Sequence, residues 1–360
     1  MKILCITRAL TVGGAEKQIC SLASLLREAG HDVTVLSYRS GDFFTSFLHS
    51  NGVRTLRVKQ NRTALSIGRE IARAAEMTEA DAVVAFTPGA NTKACIAKAI
   101  WGGKWKLVVS ERNYKGRIRS YERLRFVFYR LADAIVANSH SQTLSISRAF
   151  PHFPVPVKTI VNYVDPDLYG PADDSPSDDA PLRIVCLSRV SRRKNLMTLV
   201  RAIGLLKDRG ITARIDWWGT IKERRYLNKC LCEASRLGIR DMVEIHPPTQ
   251  DTPKAYREAD IFCLPSFFEG TPNTLIEAMA SALPVVASDV SDNALYCREG
   301  VNGAVFDPSS AGSLADAIEK IASLGRETMR AYGARSRETA IKEFSRERFI
   351  NEWSEVLISH

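Results

Sequence analysis

The chain has 360 residues, of which 45% are hydrophobic, 25% charged and 8% aromatic, and this balance excludes a disordered or fibrous protein. Its formal net charge is +10, and its length predicts two domains, each with a core of its own. No apolar stretch approaches the roughly 18 residues of a membrane-spanning helix, and the N-terminus lacks the features of a signal peptide, so we expect a cytoplasmic protein.

Strand patterns alternate with amphipathic helical stretches such as 15–29, 63–77, 194–208 and 311–323. In the first half we predict strands at 2–7, 32–37, 53–58, 81–86, 106–110, 133–137 and 157–161. In the second half we predict them at 183–187, 213–218, 242–246, 260–264, 284–287 and 303–306. This alternation is typical of parallel sheets covered by helices on both faces, so the expected fold class is α/β with two doubly wound, Rossmann-like domains.

Residues 165–181 are rich in proline and aspartate and predict an exposed linker. We therefore expect an N-terminal domain at 1–165, a linker at 166–182 and a C-terminal domain at 183–344. The two domains would face each other, with ligands in the crevice beyond the strand ends. The segment 345–360 predicts a terminal amphipathic helix that bridges the domains or packs back on the first one.

The net positive charge is confined to the first half of the chain. Residues 1–170 carry 24 Lys and Arg against 13 Asp and Glu, whereas residues 171–360 carry 26 against 27. Such a one-sided basic field suits anionic lipid head groups, phosphorylated glycolipids or nucleic acid.

The turn after the first predicted strand contains Gly13 and Gly14, followed by Ala15 and Glu16. Two adjacent glycines let the backbone approach a phosphate or a sugar at the positive end of a helix. A tight turn in which Glu16 stabilises the helix dipole is an equally favoured alternative.

Two cations, Arg189 and Lys194, follow the first predicted strand of the second half. Ligands of doubly wound sheets bind at this position, where arginine can hold two phosphate oxygens and lysine adds a compact charge. A solvated basic turn is the alternative, and it is the interpretation we give to the neighbouring Arg192 and Arg193.

Residues 268–278 contain the strongest pattern for a binding site. Thr271 as N-cap, with Pro272 at the first helical position, predicts a helix start whose free N–H groups can bind an anion. Glu269 and Glu277 flank this helix end. The alternative, a capping acid plus a surface acid, is weaker because cations are expected in the same cleft.

In these residues the chain resembles the retaining nucleotide-sugar glycosyltransferases of glycosyltransferase family four, which have the two-domain GT-B architecture. The resemblance covers nearly the whole chain: residues 13–16, residues 162–165, Arg189 with Lys194, and Glu269 with Glu277. It implies that Arg189 and Lys194 hold the donor diphosphate, while Glu269 contacts the transferred sugar and Glu277 the ribose hydroxyls. The other donor contacts that it implies are Gly13, Gly14, His246, Pro248, Gly270, Thr271, Asn273, Thr274 and Leu275.

The resemblance implies transfer of a hexose or an N-acetylhexosamine from a nucleotide-diphosphate sugar, with UDP the expected nucleotide. The expected acceptor is a lipid-linked or lipopolysaccharide glycan in cell-surface polysaccharide synthesis. No metal is expected, and Asp165-Pro166-Asp167, which imitates a metal-binding motif, is interpreted as structural. The alternatives are a nucleotide-sugar epimerase of the same architecture and a basic nucleic-acid-binding protein. Because the sequence contains no nucleic-acid recognition motif, we expect no nucleic acid as a partner.

One departure from the family pattern lies after the fifth predicted strand. Many relatives place a histidine or another donor there, whereas this chain has Glu111 and Arg112. One interpretation is that Glu111 or Arg112 selects the sugar or the acceptor. The other, equally favoured, is that either residue simply caps the strand.

Residues 119–131 predict a helix that contacts a membrane. Its core face would contain Tyr121, Leu124, Val127, Phe128 and Leu131, and its outer face Arg119, Arg123, Phe126 and Arg130. An aromatic side chain in a basic field is typical of helices at anionic lipid surfaces. The alternative is a solvated face with Phe126 covered by the preceding loop. With the charge asymmetry, the pattern predicts a peripheral protein at the inner face of the cell membrane.

Overall fold

The computed structural model describes residues 1–58, 63–112, 116, 118–172 and 180–358. The chain forms two compact units. The first comprises Met1–Tyr163 and Arg346–His360, and the second comprises Val164–Ser345.

The first unit is built on a parallel sheet of seven strands in the order β3-β2-β1-β4-β5-β6-β7. The strands are β1 (Lys2–Thr7), β2 (Asp32–Ser37), β3 (Arg54–Arg57), β4 (Ala82–Phe86), β5 (Lys106–Glu111), β6 (Ala134–Ala137) and β7 (Val157–Thr159). Its helices are α1 (Gly14–Glu28), α2 (Thr45–Ser50), α3 (Ala64–Met77), α4 (Pro88–Trp101), α5 (Ser120–Tyr129) and α6 (His140–Ala149).

The second unit contains a parallel sheet of six strands in the order β10-β9-β8-β11-β12-β13. The strands are β8 (Leu182–Leu187), β9 (Ala213–Trp218), β10 (Val243–His246), β11 (Ile261–Leu264), β12 (Val285–Ser288) and β13 (Gly303–Phe306). Its helices are α7 (Leu196–Asp208), α8 (Arg224–Arg236), α9 (Thr252–Arg257), α10 (Asn273–Ala280), α11 (Asn293–Tyr296), α12 (Ala311–Ala322) and α13 (Gly325–Glu343).

Every predicted strand is present, and the prediction of two doubly wound α/β sheets is confirmed. The central strands are continuously apolar because helices cover both of their faces. In each sheet the chain order reverses once, between β1 and β4 in the first and between β8 and β11 in the second. Open parallel sheets bind their ligands beyond the carboxyl ends of the strands at such reversals.

The terminal helix, α14 (Arg346–Ile358), packs within the first unit. Phe349 and Trp353 are fully buried, and the Trp353 ring stacks on Phe86 at the end of β4 with 5.6 Å between the ring centroids. At the start of the helix, Arg346 pairs with Glu28 of α1 at 2.6 Å. The helix therefore supplies part of the core of the first unit.

The prediction that residues 166–182 form an exposed linker is correct only in part for the residues that the structure describes: Asp167, Leu168, Pro171 and Ala172 are exposed. Tyr169 is buried, and its ring lies against Tyr256 with 6.0 Å between centroids. Arg337 of α13 donates a hydrogen bond to the carbonyl oxygen of Pro166 (3.0 Å). The start of this stretch therefore packs onto the second unit, while residues 173–179 lie outside the described part of the chain.

The predicted faces of α5 are correct only in part: Arg119, Arg123 and Arg130 are exposed as predicted, but most of the apolar residues lie on the other side. Phe126, assigned to the outer face, is 1% exposed and packs against Phe150 with 4.6 Å between centroids. Tyr121, Leu124 and Val127, assigned to the core, are 65%, 67% and 61% exposed.

An internal ion pair is the physical reason for this orientation. Arg125 of α5 turns inward and pairs with the fully buried Glu111 at 2.8 Å. The Tyr129 hydroxyl donates to the other Glu111 carboxylate oxygen (2.5 Å). Arg125 and Tyr129 thus hydrogen-bond to Glu111 in the interior. They occupy buried positions of α5 that the hydrophobic pattern assigns to apolar residues.

None of the helices in the described segments combines the length and the apolar character needed to cross a bilayer.

Candidate functional site

The predicted cationic residues lie at the reversal point of the second sheet, where the chain order reverses between β8 and β11. Arg189 lies two residues beyond the end of β8 and is exposed to solvent. The backbone of its loop passes close to Gly219, which follows β9. There a Cβ would come within 2.2 Å of the Ser188 carbonyl oxygen, and φ is +153°. Only glycine fits this position, and no motif in the sequence pointed to it.

Lys194 ends a short 3-10 turn formed by residues 192–194, and Asn195 fixes that turn. Asn195 has a left-handed backbone (φ +63°) and a buried side chain. Its amide donates to the carbonyl oxygens of Pro265 (2.9 Å) and Pro308 (2.8 Å). Asn195 thereby ties the loop after β8 to the loop after β11, a role that sequence spacing alone does not reveal.

Lys194 and Glu269 meet at this point. The Lys194 Nζ lies 2.5 Å from one Glu269 oxygen, and a guanidinium nitrogen of Arg193 lies 3.9 Å from the other. Glu269 is 7% exposed. Burial alone would raise its pKa, but the charges of Lys194 and Arg193 hold the pKa of this carboxyl below its usual value. Arg193, interpreted as solvated, in fact also donates to the Phe268 carbonyl oxygen (2.9 Å).

The predicted start of the helix after Glu269 needs a small correction. Helix α10 begins at Asn273, with Pro272 as its N-cap, rather than with Thr271 as N-cap and Pro272 inside the helix. Pro272 has an extended backbone (ψ 124°), which places it before the first turn. Gly270 and Thr271 are buried beside Glu269. The N–H of Leu275 donates to the Pro272 carbonyl oxygen (3.2 Å), so this predicted donor contact already serves the helix.

Glu277 is buried on α10, so the alternative of a surface acid is wrong. One of its oxygens accepts a hydrogen bond from the Tyr256 hydroxyl (3.0 Å), which also lies 3.2 Å from the Thr274 carbonyl oxygen. Burial raises the pKa of Tyr256, and the negative charge of Glu277 acts in the same direction. Tyr256 thus orients the predicted carboxylate of Glu277, although no sequence pattern pointed to Tyr256 itself.

His246 lies at the end of β10, as predicted. Its ring stacks on Trp218, with 4.1 Å between centroids and 15° between planes. Pro248 is exposed in the loop that follows. The Gly219 N–H donates to the His246 carbonyl oxygen (3.1 Å), which links this loop to the one that holds Arg189.

One group of side chains has donor atoms close enough to hold a metal ion. Single donor atoms of Asp216, Glu244 and His246 lie within 4.8 Å of one another. The guanidinium of Arg214, however, pairs with both carboxylates, at 2.8 Å and 3.2 Å. Since a fixed cation already pairs with both carboxylates, the residues fit a metal poorly.

Asp165 and Asp167 form a local turn, in which the Asp167 N–H donates to the Asp165 side chain (3.1 Å).

The remaining predicted residues lie in the first unit. Gly13 is the N-cap of α1, and a Cβ there would overlap the Glu16 carboxylate. Glu16 thus folds over the turn in the first turn of α1, as in the alternative in which it stabilises the helix dipole.

Arg112 is buried beside the end of β5. Its guanidinium donates to Ser110 Oγ and Asn162 Oδ1, each at 2.8 Å, and lies 4.2 Å from the Phe86 ring centroid. Burial lowers its pKa to about 9. Its second terminal nitrogen is buried without a hydrogen-bond partner among the residues with described coordinates. Glu111 instead belongs to the internal network with Arg125, and burial raises its pKa.

Two family models match consecutive parts of the chain. The model described as Glycosyltransferase Family 4 matches residues 12–168, and the model described as Glycosyl transferases group 1 matches residues 181–323. Together these matches cover most of the sequence.

Similar proteins include the lipopolysaccharide core biosynthesis glycosyltransferase LpsE of Rhizobium meliloti, which is 28% identical over 69% of this chain and 72% of its own length. The Campylobacter jejuni enzyme named GalNAc-alpha-(1->4)-GalNAc-alpha-(1->3)-diNAcBac-PP-undecaprenol alpha-1,4-N-acetyl-D-galactosaminyltransferase is 24% identical over 99% of this chain and 98% of its own. Several other curated relatives match over less than half of their length.

Among solved structures, Anabaena HepE in complex with UDP and glucose superimposes with a TM-score of 0.84. The match covers 100% of both chains at 22% sequence identity. At this identity the likeness concerns the fold.

Proposed function

The chain belongs to glycosyltransferase family 4, and we propose that it transfers a hexose or an N-acetylhexosamine from a nucleotide-diphosphate sugar to a glycan acceptor, with retention of configuration. One observation carries the proposal: Lys194 and Glu269, 75 residues apart, pair at the reversal point of the second sheet. Arg189 follows β8, the strand that precedes Lys194. The buried Glu277 lies on α10, the helix that follows Glu269.

These groups suit the charges that develop during transfer. The bond between the anomeric carbon and the diphosphate oxygen breaks, so negative charge grows on the leaving group and positive charge on the sugar ring. Arg189 and Lys194 would stabilise the diphosphate, and Glu269 would orient the sugar or offset the ring charge. Glu277, held by Tyr256, would accept hydrogen bonds from the ribose hydroxyls.

Retention follows when the acceptor attacks the face that the diphosphate leaves. The acceptor oxygen then bonds to the anomeric carbon, and its proton passes to the departing phosphate oxygen. No protein base is required for this step. No metal is required either, because the arginine and lysine side chains supply the positive charge, and chelators should therefore leave the activity unchanged.

Similar proteins support the donor and acceptor classes. A similar structure contains UDP and glucose, and the related enzymes are named for lipopolysaccharide core synthesis and for an undecaprenol-linked acceptor. We propose a UDP-sugar donor and a lipid-linked or lipopolysaccharide acceptor in cell-surface polysaccharide synthesis, at the cytoplasmic face of the membrane.

The direct test is a thermal-shift panel of nucleoside diphosphates and nucleotide sugars, followed by mass analysis with lipid-linked acceptors. UDP should raise the melting temperature of the wild type, and Arg189→Ala should reduce that shift. Release of an isomer from the donor alone would indicate an epimerase, and the absence of any nucleotide shift would refute the proposed donor site.

A further inference from the structure

Two buried hydrogen-bond donors in the first unit have no acceptor among the residues that the structure describes. They are the second terminal nitrogen (Nη2) of Arg112, the residue after β5, and the indole nitrogen (Nε1) of Trp353 on α14. The two residues are 8% and 0% exposed. Buried polar groups in native proteins nearly always have a hydrogen-bond partner, so these two donors need one.

The two side chains lie together against Phe86 at the end of β4. The central guanidinium carbon of Arg112 lies 4.2 Å from the centroid of the Phe86 ring and 5.9 Å from the centroid of the Trp353 ring. Ser110 Oγ and Asn162 Oδ1 accept hydrogen bonds from the other two guanidinium nitrogens, each at 2.8 Å. The orientation of the guanidinium is therefore fixed, and Nη2 cannot turn to another partner without breaking one of these bonds.

The charge of Arg112 is not balanced by a carboxylate. Burial is the cause that lowers the pKa of Arg112 to about 9, and no acidic side chain in the described segments acts on that pKa. The neighbouring Glu111 pairs with Arg125 instead. Aromatic faces offset part of a positive charge, but a buried cation without a counter-charge is still strongly unfavourable. The charge of Arg112 therefore favours an anion as the missing partner.

The two unpaired atoms also indicate what kind of anion fits. The guanidinium and the indole N–H donate hydrogen bonds and accept none. A water molecule would bring two hydrogens that need acceptors of their own, whereas an anion only accepts. Because both nitrogen atoms are enclosed by protein, a bulky group such as a phosphorylated sugar does not reach them. A small ion with a single negative charge matches the single positive charge of Arg112.

We propose that a chloride ion binds between Nη2 of Arg112 and Nε1 of Trp353. The ion accepts a hydrogen bond from each nitrogen and balances the guanidinium charge. Arg112 follows a strand of the sheet and Trp353 belongs to the terminal helix, so the ion ties α14 to the carboxyl ends of β4 and β5. This inference does not depend on the proposed function.

Crystallography with bromide tests the position of the ion. Bromide replaces chloride at halide sites, and its anomalous scattering distinguishes it from water. Crystals of the full chain soaked in sodium bromide should give an anomalous peak within hydrogen-bonding distance of both nitrogen atoms. A water molecule at this position, without an anomalous signal, overturns the inference.

Thermal denaturation tests the ion in solution. An ion that binds only the folded chain raises its melting temperature. Sodium chloride should raise the melting temperature of the wild type by at least about 3 °C relative to sodium gluconate at equal ionic strength, because gluconate is too large to enter the site. Trp353→Phe removes the N–H donor and keeps an aromatic ring, so the difference between the two salts should disappear in this variant.

Trp105→Phe is the matched control, because Trp105 is likewise buried in the first unit, beside Lys98. It should keep the full chloride effect of the wild type. Arg112→Gln removes the charge and should lose the effect, as Trp353→Phe does. If chloride stabilises the wild type and Trp353→Phe equally, the inference is overturned, and this comparison stands even if Arg112→Gln fails to fold.

Discussion

Arg189 and Lys194 carry the same charge in different surroundings. We therefore expect the loss of Arg189 to affect catalysis alone, and the loss of Lys194 to affect stability as well. Arg189 is exposed, whereas Lys194 compensates a buried carboxylate. Arg189→Ala should therefore reduce kcat/KM by about 100- to 1,000-fold, the usual effect of removing one preorganised donor to a developing charge, with the melting temperature unchanged. Steady-state kinetics and thermal denaturation of the same samples check this. Arg192→Ala, in the same loop and 74% exposed, is the control and should change neither value.

Lys194→Ala should lose both activity and stability. Removing the ammonium leaves Glu269 buried without its closest counter-charge, which typically reduces the free energy of unfolding by about 3–5 kcal/mol. Urea denaturation measures this loss. A Lys194→Ala variant as stable as the wild type would show that the ion pair contributes nothing to the fold.

The same ion pair predicts how stability depends on pH. The folded pKa of Glu269 lies below its usual value of about 4.3, so the stability from its ionised form is fully present above that pH. It is lost as the pH falls through the lower folded pKa. The difference in unfolding free energy between wild type and Glu269→Gln should therefore shrink below about pH 4. A difference that stays constant from pH 3 to 7 in urea titrations would contradict the assignment.

At the scale of the element, α5 presents an exposed apolar face to solvent rather than to the core. Its most exposed apolar residues are Tyr121, Leu124 and Val127, and Arg130 is its C-cap. We propose that this face, without Phe126, contacts anionic membranes.

Leu124→Glu with Val127→Glu should abolish co-sedimentation with anionic liposomes at low salt while leaving the free energy of unfolding within about 0.5 kcal/mol of the wild type. Met77→Glu, an equally exposed site on α3, is the control. Unchanged sedimentation of the double variant would exclude this face.

The same helix shows where prediction from sequence succeeds and fails. Strands such as β4 could be located because burial on both faces makes them continuously apolar. The orientation of α5 could not be found, because the partner of Arg125 is Glu111 on another element. Likewise, motif spacing located Lys194 and Glu269, but only the strand order brings them together. Tyr256 and Gly219 could not be predicted from the sequence. The role of Tyr256 depends on a hydrogen bond to Glu277, and that of Gly219 depends on close approach of the backbone.

At the scale of the whole molecule, the first unit depends on a helix from the far end of the sequence. Deleting residues 346–360 should expose the buried surface of Phe86 and remove Phe349 and Trp353 from the core. Each lost aromatic side chain typically reduces the free energy of unfolding by about 3–5 kcal/mol. Limited proteolysis followed by mass analysis should then find cleavage throughout Met1–Tyr163, with Val164–Ser345 protected as in the wild type. Equal protection of both units would contradict this.

The return of α14 to the first unit also sets an order of events during biosynthesis. A ribosome completes the sheet strands of the first unit and then translates the whole of Val164–Ser345 before the sealing helix emerges. At 5–20 residues per second this interval lasts roughly 10–40 s. During that time the nascent chain carries an open seam against Phe86 and α1, and translation of the later unit ends before that seam can close. The part synthesised first is thus the part finished last.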